Sequence, residues 1–462
     1  MFSEETFIKR RDLLKDKVKS GIILLPGNDI SPMDAFANCY PFRQNDSFIY
    51  FTGLNKVEKL TLIIDIDNNK EILFGDDLTV EDQIWTGAMP SVSTYAQQCG
   101  IKTVKKISEL KPIIDNFRKQ NRTIHFLPSC RSETLINLAQ LLDIPAHEIN
   151  KNISKRLIRA VVALREIKSE EEVTEIVKAH DISHEIYSTL IHSIKPGFYE
   201  RELNGKIENI LASHNSSCSF PTILTIKGKT FHNSDYCNLL KKGDLLLLDS
   251  GAKSPCSYAS DITRTYPVSG KFTDKQKDIY NIVLKAQIKS IEKIKPNVLY
   301  KDIHLHAATV IAEGLKNLGL MKGNIEDAVS AGAHALFFPH GLGHMLGIED
   351  HDMESLGEDY VGYTESIKRS SQFGLAALRL AKELKPGFVL TAEPGIYFIP
   401  NLIDKWQSEN KLSDFINYDK VNEYRDFEGI RIEDDILVTD RGYKILGKSI
   451  PKDVSEIESI MQ

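Results

Sequence analysis

The 462-residue sequence lacks any apolar run as long as the roughly 18–20 residues that a membrane-spanning helix needs. Its polar, acidic start, Met1–Glu5, carries no signal-peptide pattern, so we expect a cytoplasmic protein without a membrane partner. Neither sign of charge is in large excess: 58 Lys and Arg oppose 64 Asp and Glu, a net charge of −6. This balance argues against a nucleic-acid partner.

Cysteine is scarce, and the sequence has no C-x-x-C pair. This scattering argues against a disulfide framework or a thiolate zinc site. The phosphate-binding pattern G-x-x-x-x-G-K-[ST] and the zinc pattern H-E-x-x-H are also missing, and Gly341–Gly347 misses the dinucleotide spacing. The six cysteines are Cys39, Cys99, Cys130, Cys218, Cys237 and Cys256.

The first third of the chain reads as an α/β domain of short strands and helical stretches. A capping box, Ser169 with Glu172, then opens a long helix that we expect to end near residue 194. We place a boundary near residue 160, which gives domains 1–160 and 161–462. Strands of the first domain are predicted at residues 21–25, 47–52, 61–65 and 123–127, after a helix at 4–19.

The second domain reads as α+β. Strands at 244–251 and 258–267 follow each other without an intervening helix, so we expect a hairpin and an antiparallel sheet. Further predicted strands lie at 221–226, 387–398 and 429–438, and helices at about 200–213, 274–294 and 300–318.

Four acids close or interrupt apolar strands of this second domain: Asp249, Asp261, Glu393 and Glu433. Asp is depleted in strands, so the presence of Asp261 within a β-branched, strand-like segment calls for an explanation, such as an exposed face or a functional role. The spacing of 12 between Asp249 and Asp261 fits two strands of one hairpin with both carboxylates on one face. Each acid alone also fits a turn or a surface position, but together they indicate an oxygen-rich metal site.

Three of the thirteen histidines lie within twelve positions of a glycine-rich segment: His340, His344 and His351. Each one alone is compatible with a polar loop, whereas the cluster favours a site. Four carboxylates carry a charge of −4, which two divalent ions would balance, and such ligands suit a hard ion such as Mn²⁺. Two ions can hold a water and lower its pKa for attack on an amide carbonyl, so the residues favour a dinuclear metallohydrolase.

At these residues the sequence resembles the pita-bread metallopeptidases, the family of methionine aminopeptidase, aminopeptidase P and prolidase. The five motifs occur in family order: Leu-Asp249-Ser-Gly, Ser-Asp261-Ile-Thr-Arg, His-Gly-Leu-Gly-His344, Thr-Ala-Glu393-Pro-Gly and Arg-Ile-Glu433-Asp. The resemblance implies that these five residues bind two metal ions, typically Mn²⁺. It also implies that Glu393 acts as the general acid/base.

The segment Tyr40–Gly53 resembles the N-terminal domain that aminopeptidase P and prolidase share and methionine aminopeptidase lacks. The resemblance therefore spans nearly the whole chain. It implies an α+β fold, with an N-terminal α/β domain before a pita-bread catalytic domain built on a curved antiparallel sheet. Family habit implies a homodimer.

The resemblance also implies substrate-binding residues. His232, 17 positions before Asp249, matches the family's substrate-pocket histidine. His340 and His351 match two histidines that assist the tetrahedral intermediate and grip the substrate, and Arg431 matches an arginine near the site. The implied substrate is a small peptide with proline at its second position.

Arg379 favours a dipeptidase. It lies in Gly374–Lys382, which resembles the prolidase segment whose arginine binds the free carboxylate of the dipeptide, and a guanidinium suits that task. An arginine on a solvent-facing helix is the alternative. We therefore expect an Xaa-Pro dipeptidase; the alternatives are an Xaa-Pro aminopeptidase, a non-catalytic binding member, or a metal-free hydrolase such as creatinase.

The sequence departs from the family pattern at three places. The hairpin between Asp249 and Asp261 is one residue longer than usual, Met345 replaces a frequent aromatic, and Asn233 follows His232 where Tyr is common. The first difference bears on the hairpin turn, and the other two bear on the substrate pocket. The preferred residue before proline is therefore not implied.

Overall fold

The computed structural model describes residues 2–35 and 37–462, which form two compact units. The N-terminal unit comprises the described residues up to 165 together with 353–360, and the C-terminal unit comprises 166–352 and 361–462. No helix in the described part of the chain is both long and apolar enough to cross a membrane.

The N-terminal unit mixes short strands with helices. Its strands are β1 (Ile22–Pro26), β2 (Pro32–Ala35), β3 (Asn38–Cys39), β4 (Thr61–Asp65), β5 (Lys70–Phe74), β6 (Thr103–Lys105) and β7 (Ile124–His125). Its helices are α1 (Glu4–Val18), α2 (Asp46–Thr52), α3 (Val80–Thr86), α4 (Val92–Gln98), α5 (Leu110–Lys119), α6 (Ser132–Leu142) and α7 (Lys155–Arg165).

A mixed five-stranded sheet of order β6-β5-β4-β1-β7 is the core of this unit. The pairs β1–β4 and β4–β5 are antiparallel, whereas β1–β7 and β5–β6 are parallel. Apolar side chains of the sheet, such as Leu24, Ile63 and Phe74, pack with Ile114 of α5 and Leu138 of α6. Because residues 22–25 of β1 are all buried, that strand reads as a continuous apolar run.

The predicted strand at 47–52 is wrong, because these residues form helix α2. The side chain of Asn45 accepts a hydrogen bond from the backbone N–H of Phe48 at 2.9 Å and caps the helix. Gly53, at φ 73°, ends it in the left-handed conformation. All but the first residue of α2 are buried, so a β-branched and aromatic composition reflects burial here rather than a strand.

The C-terminal unit carries longer helices and several short antiparallel ladders. Its strands are β8 (Ile223–Thr225), β9 (Leu245–Ser250), β10 (Ile262–Pro267), β11 (Val389–Ala392), β12 (Gly395–Tyr397), β13 (Gly429–Arg431), β14 (Asp434–Val438) and β15 (Tyr443–Ile445). Its helices are α8 (Glu170–Ile191), α9 (Glu200–Ser213), α10 (Asp274–Ile291), α11 (Tyr300–Asn317), α12 (Ile325–Ser330), α14 (Pro400–Ser408), α15 (Tyr418–Asn422) and α16 (Val454–Ile460), with α13 (Glu358–Val361) at the boundary residue 360.

Helix α8 begins where the sequence predicts. The side chain of Ser169 accepts from the backbone N–H of Glu172, and the Glu172 carboxylate accepts from the backbone N–H of Ser169. This reciprocal pair is the predicted capping box, so the prediction is confirmed.

Strands β9 and β10 form the predicted antiparallel hairpin, in which Asp249 lies opposite Thr263. A bridge between Lys253 and Ala259 continues the pairing beyond the ladder, and the backbone N–H of Ser254 donates to the carbonyl of Tyr258. Strand β8 pairs with the other edge of β9. The ladder therefore fixes the register of the two aspartates.

The two other predicted strand regions, 387–398 and 429–438, are each interrupted at their acid. Glu393 lies between β11 and β12, and Glu433 lies between β13 and β14. Strands β11, β14 and β15 form one sheet, and β12 pairs with β13 in another. The interruptions take both acids out of the ladders, which frees their side chains to approach a common point.

Candidate metal centre

Asp249 lies in β9, and Asp261 directly precedes β10, the second strand of the hairpin. Asp249 lies opposite Thr263, and alternation along the strand sets Asp261 on the same face as Thr263. Nη2 of Arg431 donates to Oδ2 of Asp249 at 2.5 Å, and the backbone N–H of Asp261 donates to Oδ2 of Asp435 at 2.9 Å. Oδ1 of each aspartate is buried without a hydrogen-bond partner.

His344 is held by the backbone on one side and faces carboxylates on the other. Its backbone carbonyl accepts from Thr391 N–H at 3.0 Å, and its Nδ1 is 3.1 Å from the carbonyl of Met345. Since a carbonyl only accepts, Nδ1 carries the hydrogen. Nε2 lies 3.4 Å from Oδ2 of Asp261 and 3.7 Å from Oε1 of Glu393. Burial holds the pKa of His344 well below its usual range, so Nε2 presents a lone pair to these oxygens.

Glu393 is fixed by its backbone, whose N–H donates to the carbonyl of Leu342 at 2.8 Å. Its Oε2 lies 3.9 Å from Nδ1 of His340 and 4.0 Å from Nε of Arg431. Burial raises the pKa of Glu393 to about 7, although the charge of Arg431 opposes the rise. A carboxyl with a pKa near neutrality can both accept and return a proton.

Glu433 hydrogen-bonds to strand β10 through both backbone and side chain. Its N–H donates to the carbonyl of Thr263 at 3.1 Å, and its Oε2 accepts from Oγ1 of Thr263 at 2.6 Å. Oε1 is buried without a partner. Burial raises the pKa of Glu433 well above its usual range, and the negative charges of Glu393 and Asp249 add to the rise.

The donor atoms of this centre fit divalent cations. Ligand atoms of Asp261, His344 and Glu433 lie within 4.8 Å of one another. Burial and nearby carboxylates raise the pKa of Asp261 well above its usual range, as expected for acids crowded without a counter-charge. Unpartnered carboxylate oxygens beside an imidazole lone pair are the ligands that a hard divalent ion prefers.

His340 lies in an aromatic wall beside the centre. Its Nδ1 is 2.8 Å from the carbonyl of Gly341, and its Nε2 is 2.9 Å from the hydroxyl of Tyr397. Nη1 of Arg431 donates to the same hydroxyl at 3.0 Å, so that hydroxyl can donate to His340. The ring of Phe338 packs edge-on against His340 at 4.9 Å.

His351 packs edge-on against His344, with 4.2 Å between ring centroids. Its Nε2 lies 3.7 Å from Oδ2 of Asp350. The positive charge that His351 carries when protonated would lower the pKa of Glu393, which places the two side chains within electrostatic reach.

His232 and Arg379 lie at the margin of the centre. His232 is exposed, next to Phe231, whose ring packs against His340 at 5.5 Å between centroids. Arg379 is half-buried and follows a short 3₁₀ turn (Leu375–Ala377) rather than lying on a solvent-facing α-helix. Burial dominates the pKa of both Glu393 and His340, and the charge of Arg379 acts to lower both values.

The structure thus brings the five predicted ligands, His340, His351 and Arg431 together, and places Arg379 within electrostatic reach. Sequence reasoning missed Thr263, Tyr397 and Asp350. Thr263 could have been found, because it follows Asp261 by two positions and strand alternation puts both on one face. Tyr397 and Asp350 give no such signal, because their roles depend on contacts between distant segments.

Two family profiles match this chain. The profile of metallopeptidase family M24 matches residues 174–440, and that of the aminopeptidase P N-terminal domain matches residues 7–125. Together they cover most of the chain.

Named relatives align over nearly the full length. A probable Xaa-Pro aminopeptidase pepP of Metarhizium acridum is 34% identical over 447 residues, covering 96% of this chain and 85% of that protein. The Xaa-Pro dipeptidase of Homo sapiens is 30% identical over 448 residues, covering 95% and 88%. Aminopeptidase P of E. coli, solved with the inhibitor Pro-Leu, superposes with a TM-score of 0.81 at 28% identity, covering 100% of this chain and 98% of that one. The expected pita-bread fold is confirmed.

Proposed function

The chain belongs to metallopeptidase family M24, and we propose that it hydrolyses the Xaa-Pro peptide bond, releasing proline from Xaa-Pro dipeptides. The observation that carries the proposal is the convergence of four carboxylates and one imidazole, with unpartnered buried oxygens, in one centre. The substrate class comes from relatives named Xaa-Pro dipeptidase and Xaa-Pro aminopeptidase. Proline's ring and missing N–H hinder general peptidases, so a dedicated pocket is reasonable.

Five residues are proposed to hold two divalent ions: Asp249, Asp261, His344, Glu393 and Glu433. Their oxygen-rich donor set favours Mn²⁺. When bound, such ions lower the pKa of a coordinated water and stabilise negative charge on the attacked carbonyl oxygen.

Glu393 is proposed as the general acid/base. It accepts the proton of the attacking water and delivers it to the departing proline nitrogen. Its pKa of about 7 in the metal-free chain and its position against His340 and Arg431 support this exchange.

His340 and His351 are proposed to contact the substrate and the tetrahedral intermediate. Nδ1 of His340 hydrogen-bonds to the adjacent Gly341 carbonyl, a bond that it can exchange for one to the substrate. The hydroxyl of Tyr397 holds Nε2 of His340 and so fixes the ring. His351, partly exposed against His344, borders the same space.

Arg379, Arg431 and His232 are proposed to bind the rest of the peptide. Arg379 would pair with the free carboxylate of a dipeptide, which its guanidinium fork matches. Arg431 donates three of its five N–H groups to Thr263, Tyr397 and Asp249, and the other two would donate to the substrate. His232, exposed beside Phe231, would line the pocket entrance.

Hydrolysis of Ala-Pro and Ala-Pro-Ala by the Mn²⁺-loaded chain tests the proposal. We expect release of proline from Ala-Pro with a kcat/KM at least tenfold above that for Ala-Pro-Ala. Cleavage of the tripeptide alone would overturn the dipeptidase assignment, whereas cleavage of neither would overturn Xaa-Pro peptidase activity.

The second candidate is an Xaa-Pro aminopeptidase that removes the first residue from longer peptides. It is favoured by the 34%-identical pepP relative and by the superposition on aminopeptidase P. The tripeptide arm of the same experiment identifies it. A non-catalytic peptide- or partner-binding role is less well supported, because all five ligand residues are present; no bound metal and no turnover after Mn²⁺ addition would favour it.

The catalytic part is proposed to be residues 161–462, since all ten candidate residues lie there, with residues 1–160 as a separate domain. We propose a homodimer, because helix α3 exposes a row of large apolar side chains, Val80, Ile84 and Trp85, without a buried residue. Trp85 is 81% exposed. Light scattering of wild type and Trp85→Ala tests this; a monomeric wild type would contradict it.

A cytoplasmic location is proposed. Its support is the set of six free cysteines, which suits a reducing compartment. The mildly acidic net charge supports a peptide rather than a nucleic acid as partner. Fluorescent tagging of the chain at its C-terminus, followed by imaging, tests the location.

A further inference from the structure

Asp350 carries a carboxylate and is not one of the five proposed metal ligands. It precedes His351 in the loop that follows His344, and its charge adds to the burial that raises the pKa of Asp261, so the two carboxyl groups are neighbours. Ligand atoms of His344, Asp350 and His351 lie within 4.8 Å of one another. Asp350 therefore adjoins two of the proposed metal ligands.

The oxygens of Asp350 are only partly accounted for by protein groups. Oδ2 faces Nε2 of His351 at 3.7 Å, beyond a hydrogen bond, and Oδ1 is buried without a partner. Nζ of Lys253, which interacts electrostatically with Asp350, donates to the carbonyl of Ile348 at 2.5 Å. Oδ1 of Asp261, itself buried, also lacks a partner.

Two carboxylates in contact repel each other unless a cation or a shared proton lies between them. In the metal-free chain the two carboxyl groups can share a proton, and a divalent ion bound beside them would replace that proton. Ligand atoms of Asp350 lie within 4.8 Å of those of His344, so Asp350 could supply an oxygen to an ion that Asp261 and His344 would hold.

We propose that Asp350 supplies a fifth carboxylate to the metal centre, beside Asp261 and His344. This inference rests on the proposed function, because it needs that centre to bind divalent ions. Five carboxylates carry −5 against +4 from two ions, so the loaded centre retains a negative charge. Such a centre binds hard divalent ions more tightly than four carboxylates would.

Titration of the metal-free, full-length chain with Mn²⁺ tests the proposal by calorimetry, with metal content read by mass spectrometry. We expect Asp350→Asn, which keeps the shape and removes the charge, to weaken at least one Mn²⁺ site by tenfold or more. Asp440→Asn removes the same charge from an exposed turn and should stay within twofold of wild type. Asp350→Asn within twofold of wild type at both sites would overturn the proposal.

A crystal structure of the Mn²⁺-loaded wild type needs no variant and guards against misfolding of Asp350→Asn. An Asp350 oxygen within about 3 Å of an ion supports the proposal, and a longer distance to both ions overturns it. If wild type binds no Mn²⁺ at all, the proposed function itself fails. If wild type binds two ions and Asp350→Asn binds them equally well, only the role of Asp350 fails.

Discussion

Nη2 of Arg431 donates a 2.5 Å hydrogen bond to Oδ2 of Asp249, and both side chains are buried. The same guanidinium donates to Thr263 through Nε and to Tyr397 through Nη1. One side chain thus fixes an acid of the candidate centre, the strand that faces it and the hydroxyl that orients His340. It is also the fixed positive charge that partly offsets the crowded carboxylates.

Replacing Arg431 is therefore expected to destabilise the metal-free chain. Arg431→Met keeps much of the side chain's length but leaves Asp249 buried without its partner, which typically costs about 3–5 kcal/mol. Urea unfolding at pH 8 measures the loss. With saturating Mn²⁺ the loss should shrink, because bound ions supply positive charge; Arg441→Met, at an exposed position, serves as control. Equal stability of Arg431→Met and wild type would contradict the role of the pair.

Arg379→Ala tests the carboxylate-binding role. Loss of a bidentate partner for the dipeptide carboxylate should raise KM for Ala-Pro by about tenfold or more, with a change below about threefold for Ala-Pro-Ala. Steady-state kinetics on both peptides give the comparison, and Lys368→Ala, an exposed cation in the same region, is the matched control. An equal rise in KM for the two peptides would mean that Arg379 does not bind the free carboxylate of the dipeptide.

Chelation should destabilise the chain, and more so at high pH. In the metal-free state the pKa values of Asp261 and Glu433 are raised, so the folded chain holds these protons more tightly than the unfolded chain. Stability of the metal-free chain therefore falls as pH rises from the usual carboxyl range towards the raised pKa values. Ions at about a thousand times Kd would add about 4 kcal/mol. Melting temperatures with and without EDTA at pH 6 and pH 8 measure both effects; no effect of EDTA at either pH would contradict them.

Two buried histidines away from the ligands should make the protein acid-sensitive. Burial lowers the pKa of His304 to about 3 and that of His334 to about 4, so both are neutral in the folded chain. In the unfolded chain both histidines titrate near 6.5. The free energy of unfolding is therefore unaffected by them above that pH, and it falls progressively as pH drops towards 4, because the unfolded chain takes up protons that the folded chain does not. Together the two histidines should lower the free energy of unfolding by about 3–4 kcal/mol at pH 5 relative to pH 7.

The variant His304→Leu isolates this effect. The difference in unfolding free energy between pH 7 and pH 5 should be smaller in His304→Leu than in wild type, since one titrating group is gone. His147→Leu removes an exposed histidine and should leave the difference unchanged. An unchanged pH dependence in His304→Leu would contradict the assignment.

The strand and helix pattern of the C-terminal unit follows from the sequence where one local rule governs it. Ser169 and Glu172 cap α8, and the 12-residue spacing of Asp249 and Asp261 gives the observed hairpin. The strand prediction for residues 47–52 is wrong because a helix buried on all sides favours the same apolar, β-branched side chains as a strand does. There, the cap at Asn45 and the left-handed Gly53 decide the structure.

The outer parts of the site were less predictable than its ligands. An acid at the end of an apolar strand is visible in one segment of sequence, as with Glu393 and Glu433. The hydroxyl of Tyr397, by contrast, acquires its role only when β12 brings it between His340 and Arg431. In the sequence Asp350 looks like an ordinary acidic residue of a loop, and only the fold brings it next to Asp261.

In the β9–β10 hairpin, the length of the connecting loop does not determine where Asp249 and Asp261 lie. Because the strand pairs are fixed up to Ser250 and Ile262, and the Lys253–Ala259 bridge closes a loop outside them, an insertion at residues 254–258 lengthens only that loop. An insertion within β9 would instead turn Asp249 to the opposite face, since side chains alternate along a strand. The loop can therefore change in length without moving the two aspartates, whereas the strands admit no change in residue count.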